Sequence, residues 1–105
     1  MSVQMNIKRQ PVIERGCLTI DLQCCTVILS GKQITLYPKE FDVLCLLVQY
    51  PGWVLSPEQI YESVWKGEMT GCEYVVYNVI CQLRRKLKNP DLIQTVVGRG
   101  YKFVG

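Results

Sequence analysis

An α+β domain is predicted, with an N-terminal antiparallel sheet, three helices and a C-terminal β-hairpin. Three observations predict it: closely spaced β-rich runs over residues 12–36, three successive helix signals over 38–88, and two short β runs flanking Gly98-Arg99-Gly100. The chain has 105 residues, 49% of them hydrophobic. That is one domain's worth, expected over residues 11–105 behind a linker-like tail at 1–10.

The first runs are Cys17-Leu18-Thr19-Ile20 and Thr26-Val27-Ile28-Leu29, with Ser30-Gly31-Lys32 turning into Gln33-Ile34-Thr35-Leu36. They read as a three-stranded meander. Pro38 suits a first helical position, and Phe41, Leu44, Cys45 and Val48 follow at helical spacing until Tyr50-Pro51-Gly52. Trp53-Val54-Leu55 is an extended link. Ser56-Pro57-Glu58-Gln59 starts a second helix, with Ser56 as N-cap and Gln59 closing a capping box. It runs to about Trp65, with Ile60, Val64 and one aromatic facing inward.

A glycine-bounded loop covers residues 66–71. The third helix runs from Cys72 to about Lys88 on a stripe of Val76, Ile80, Leu83 and Leu87, and Asn89-Pro90 ends it. Residues 93–97 and 101–104 then form a hairpin with Arg99 at its tip. Strands, three helices and a hairpin make a winged helix-turn-helix plan.

Composition excludes several functions. The chain contains no histidine, hence no imidazole base and no His-containing metal site. No apolar run reaches bilayer length and no signal peptide stands at the start, so a cytoplasmic location is expected. No cofactor or metal is expected either. Cys17, Cys24, Cys25, Cys45, Cys72 and Cys81 include no CxxC pair and are taken as reduced. A redox role for Cys81 is the weaker alternative to packing.

Charge is segregated. Residues 1–71 carry six basic and seven acidic side chains, whereas residues 72–105 carry six basic and two acidic. On a helical wheel the arc opposite the third helix's stripe holds Tyr74, Val75, Asn78, Cys81, Gln82 and Arg85, with Tyr77, Arg84 and Lys88 on a flank. Asn and Gln can pair with adenine and Arg with guanine, while the basic end Arg84-Arg85-Lys86 with Lys88 can neutralise phosphates. A solvated basic face would also suit a helix C-terminus electrostatically. Exposed Tyr74, Val75 and Cys81, together with Arg99 projected between glycines towards a narrow minor groove, favour nucleic acid. The competing reading is a winged helix for protein–protein contact. An enzyme has no supporting residues.

The motifs ITLYPKEFDVLCLL, YPGWVLSPEQIYESVW, VVYNVICQLRRKL and IQTVVGRGYKFV resemble, in that order, the OmpR/PhoB-type effector domain of two-component response regulators. The resemblance spans roughly residues 12–104. It implies a four-stranded N-terminal sheet, with the extra strand near Val12–Glu14 or Trp53–Leu55. It places the third helix, including Val79, in the major groove. It places the wing, with Thr95, Val97, Arg99 and Tyr101, at the minor groove or backbone. The loop with Gly67, Glu68, Met69 and Thr70 is implied as a contact for RNA polymerase. Binding to tandem repeats as a dimer, and a receiver domain upstream, are implied too. That receiver has no room in 105 residues, so this chain is expected to be the effector half of a longer regulator.

The family pattern also exposes departures. Tyr37 stands where Thr or Ser usually caps the first helix, a loss of about 1 kcal/mol that leaves Glu40 without its reciprocal partner. Gln82 and Val97 stand where basic residues are frequent, and Val79 where histidine is frequent.

Overall fold

The computed structural model describes residues 12–66 and 72–104. Four short strands come first: β1 (Val12–Arg15), β2 (Leu18–Asp21), β3 (Thr26–Leu29) and β4 (Lys32–Ile34). They pair antiparallel in chain order. The fourth strand of the sheet is thus Val12–Arg15, in register with β2 through Ile13↔Ile20 and Arg15↔Leu18. The two-residue period turns Leu18, Ile20 and Val27 into the core and leaves their neighbours outward.

Three helices follow: α1 (Pro38–Gln49), α2 (Pro57–Val64) and α3 (Cys72–Leu87). In α1, Phe41, Val43, Leu44, Cys45, Leu47 and Val48 are all buried. α2 contributes Ile60 fully, with Val64, Tyr61 and Trp65 packed at the core's edge, so both aromatics face inward rather than one. Their rings stack, with centroids 5.2 Å apart. The capping box at α2 forms as expected: Gln59 N donates to Ser56 Oγ at 3.1 Å and Ser56 N donates to Gln59 Oε1 at 2.8 Å.

At α1 the cap is different. The Tyr37 side chain makes no cap hydrogen bond, but Tyr37 N donates to Glu40 Oε1 at 2.9 Å. Glu40, only 5% exposed, is not left without a partner: Lys86 Nζ of α3 donates to the same oxygen at 2.7 Å. That ammonium also sits 4.2 Å from the Tyr37 ring centroid. A cation–π contact and a cross-helix ion pair therefore replace the hydroxyl cap.

The stripe Val76, Ile80, Leu83 and Leu87 of α3 is buried against α1 and α2. A 3₁₀ turn (Pro90–Leu92) leads into the hairpin of β5 (Ile93–Val96) and β6 (Gly100–Phe103). The link after α1 belongs to this hairpin, not to the first sheet. Leu55 N donates to Tyr101 O at 2.8 Å, Tyr101 N to Leu55 O at 2.9 Å, and Gly52 N to Phe103 O at 3.0 Å.

Candidate nucleic-acid interface

The surface begins with the outward side of α3. Tyr74 is 72% exposed, and Tyr77, Asn78, Arg85 and Lys88 are exposed with it. Val75, Val79, Cys81 and Gln82 lie half-buried along the borders of this strip. Arg85 Nη1 donates to Gln82 Oε1 at 3.1 Å, which presents amide and guanidinium as one polar unit.

Arg84 has a different position. Its Nε and Nη2 donate to Ile93 O at 3.1 and 2.8 Å, and Nη2 donates to Thr95 Oγ1 at 2.8 Å. Its guanidinium also lies 6.0 Å from the Tyr101 ring centroid. One side chain of α3 thereby fixes the hairpin's position beside the helix. Tyr101 itself is 7% exposed and forms part of the core, whereas Thr95 lies at the surface.

The wing tip projects into solvent. Val97 is 91% exposed, and Arg99 is exposed beside it. The two glycines around Arg99 have separate reasons. Gly98 turns the chain at φ +76°, in the left-handed region. At Gly100, with φ +150°, a Cβ would stand 2.0 Å from Leu55 O, so only glycine lets the hairpin close on the link.

Between α3 and the wing lies a crease of about 550 Å³, lined among others by Tyr77, Thr95, Arg99, Ser56, Pro57 and Glu58. The start of α2 is a contribution that the wheel of α3 does not reveal. The Ser-Pro-Glu start signal is its trace in the sequence; with Pro57 lacking an N–H and the capping box using Ser56 N and Gln59 N, the Glu58 amide is the donor left for an anion. Glu58 and Glu73 also line the crease, which divides the basic surface rather than continuing it. Hydrogen bonding to the Cys81 thiol raises the Tyr77 phenol above its usual 10.0, and burial raises that of Tyr101. Both phenols are neutral near pH 7 and add no repulsion towards phosphate.

The predicted loop Gly67, Glu68, Met69 and Thr70 lies outside the described residues, as does the tail at 1–10. Among the described residues no group of three or more Cys, Asp and Glu is placed to hold a metal ion. No helix among them is long and apolar enough to cross a membrane.

Sheet, three helices, capped hairpin and exposed third helix define a winged helix-turn-helix domain. More narrowly, residues 31–103 match the family described as "Transcriptional regulatory protein, C terminal", and the chain belongs to it, within the OmpR/PhoB-type domains. It is 43% identical over 97 residues to the uncharacterized transcriptional regulatory protein YclJ of Bacillus subtilis, covering 90% of this chain and 43% of that protein. The chain thus spans less than half the length of this curated relative. Among solved structures, the Thermotoga maritima response regulator DrrB, an OmpR/PhoB homolog, superposes with a TM-score of 0.82 at 33% identity. That match covers 94% of this chain and 46% of DrrB. The Klebsiella pneumoniae RstA DNA-binding domain, in complex with its RstA box, gives a TM-score of 0.82 at 30% identity, covering 89% and 96%.

Proposed function

We propose that this chain binds double-stranded DNA sequence-specifically, as the output domain of a cytoplasmic response regulator that controls transcription. α3 enters the major groove, and the wing lies at the adjacent minor groove or backbone. The observation that carries this reading is the exposed strip of α3, with Asn78 and Arg85 at its centre, half-buried Gln82 bonded to Arg85 at its border and Lys88 at its end, held beside an exposed wing tip by Arg84. Asn78 and the Gln82–Arg85 unit read base edges. Lys88 and Thr95 hold phosphates, with the Glu58 amide as the one free donor at the start of α2. Arg99 lies where a narrow minor groove would attract it.

In the full regulator a receiver domain precedes this one, the protein binds tandem repeats as a dimer, and the loop at residues 67–70 meets RNA polymerase. The RstA domain's complex with its DNA box supports the first claim, through the shared fold and 30% identity. Titration with duplex DNA across a salt series tests it. Log K should fall linearly against log salt, with a slope on the order of −0.9 per phosphate neutralised. A flat response, or no duplex bound at low salt, would refute DNA binding and leave the winged helix as a protein-contact module.

A further inference from the structure

A second cleft, of about 620 Å³, opens between the β1–β2 turn, the β3–β4 turn and the end of α3. Its volume falls within the range of small-molecule sites. Leu18, Leu29, Ile34, Leu87 and Leu92 supply an apolar lining. Arg15, Lys32, Lys86 and Lys88 also line it, and no acidic residue among those described does. Lys86 is taken by Glu40, which leaves three cations. Arg15 carries the most telling atom. Its Nη1 donates to Glu14 O at 3.0 Å, but its Nε is buried with no hydrogen-bond partner among the described residues. A buried donor without an acceptor is costly, and a guanidinium matches carboxylate and phosphate geometry.

We propose that this cleft binds a small amphipathic organic anion, with a carboxylate or phosphate head at Arg15, Lys32 and Lys88 and an apolar body over the leucines. Charge complementarity selects the sign of the ligand, and the apolar lining selects against a bare inorganic ion. The site is also placed to regulate. Lys88 belongs both to the cleft and to the basic end of α3, so an anion seated there neutralises a cation that would otherwise face phosphate. This coupling rests on the DNA-binding reading, whereas binding in the cleft does not.

Titration of the ¹⁵N-labelled domain by NMR tests the site, with dodecanoate and dodecyl phosphate as probes. Dodecyltrimethylammonium and acetate serve as controls. The anionic amphiphiles should shift amides of residues 15–18, 29–35 and 86–92 saturably, and neither control should. Lys32→Glu should weaken dodecanoate by about tenfold, the size of one lost charge-assisted contact, while keeping a dispersed spectrum and unchanged DNA affinity. Saturating dodecanoate should reduce the salt slope of DNA binding by about 1. Shifts scattered over the whole surface, equal binding of the cationic amphiphile, or an unaffected Lys32→Glu variant would overturn the site. Displacement of dodecanoate by an acidic, leucine-rich peptide of higher affinity would instead make the occupant a protein segment, and the proposal would fail. Dodecanoate seated in the cleft with DNA binding unchanged would uphold the site and refute the coupling. A domain that binds dodecanoate but no DNA would refute the DNA-binding reading alone.

Discussion

Replacing Arg84 by alanine isolates the contact that sets the wing against α3. The guanidinium makes three N–H···O contacts to two acceptors, Ile93 O and Thr95 Oγ1. The two contacts to Ile93 O share one carbonyl and count as one charge-assisted interaction. Half-buried contacts of this kind contribute about 1–1.5 kcal/mol per acceptor, so Arg84→Ala should cost roughly 2–3 kcal/mol. For a domain of this size that lowers Tm by roughly 10 °C. Arg84→Lys keeps the charge but not the fork, and should lose about 1 kcal/mol. Urea denaturation with an unchanged m-value measures both. On DNA, at a temperature where the variant is folded, Arg84→Ala should weaken binding, most for duplexes with a narrow minor groove beside the site, and leave the base preference set by α3 unchanged, because the wing loses its position and no base contact of α3 is removed. A stability change below about 0.5 kcal/mol, or a lysine variant equal to wild type, would refute the clamp.

Three further outcomes follow from the packing. Glu40→Gln and Lys86→Met should each cost about 2 kcal/mol, and a double-mutant cycle should show coupling on the order of 1 kcal/mol; strict additivity would mean the 2.7 Å pair contributes nothing. Gly100→Ala should cost about 3 kcal/mol or more by chemical denaturation, since its Cβ would meet Leu55 O, and a near-neutral result would contradict the close approach. Burial and the neighbouring Asp42 carboxylate push the Cys45 thiol from 9.0 up to about 12. Folding therefore favours the neutral thiol. Its contribution is fully present below pH 9 and is lost as pH rises from 9 towards 12. Cys45→Ala should flatten that alkaline decline in a stability–pH series, and an unchanged slope would assign the decline to other groups.

Periodicity made the helices legible: α1, α2 and α3 lie where apolar spacing and start signals put them, and the capping box of Ser56 and Gln59 is formed. The first sheet was harder to read. β1 is a four-residue edge strand, VIER, with a charged pair at its end; Glu14 is exposed and the other three side chains are only half-buried. Such a run carries little two-residue alternation, so only the family pattern pointed to it. β4 stops at Ile34, because Thr35 and Leu36 already lead into the helix cap.

In the site, a wheel placed the exposed face of α3 but not what lies beside it. Arg84 reads as a phosphate contact on a flank, whereas β5 runs along that flank and takes up its Nε and Nη2 donors. Tyr101 read as a wing contact, yet the bridge to Leu55 turns it inward. Glu40 read as a widowed capping residue because its partner is 46 positions away. Each of these depends on contacts between distant segments, which local spacing does not encode.

Selection on random duplexes decides whether α3 reads bases. Wild type, Asn78→Ala and Arg85→Ala would be run in parallel at fixed salt. Wild type should enrich a motif and each variant should change the preference, at about 1–3 kcal/mol per lost base contact. The same motif from all three proteins, or no enrichment by wild type, would contradict base reading by α3.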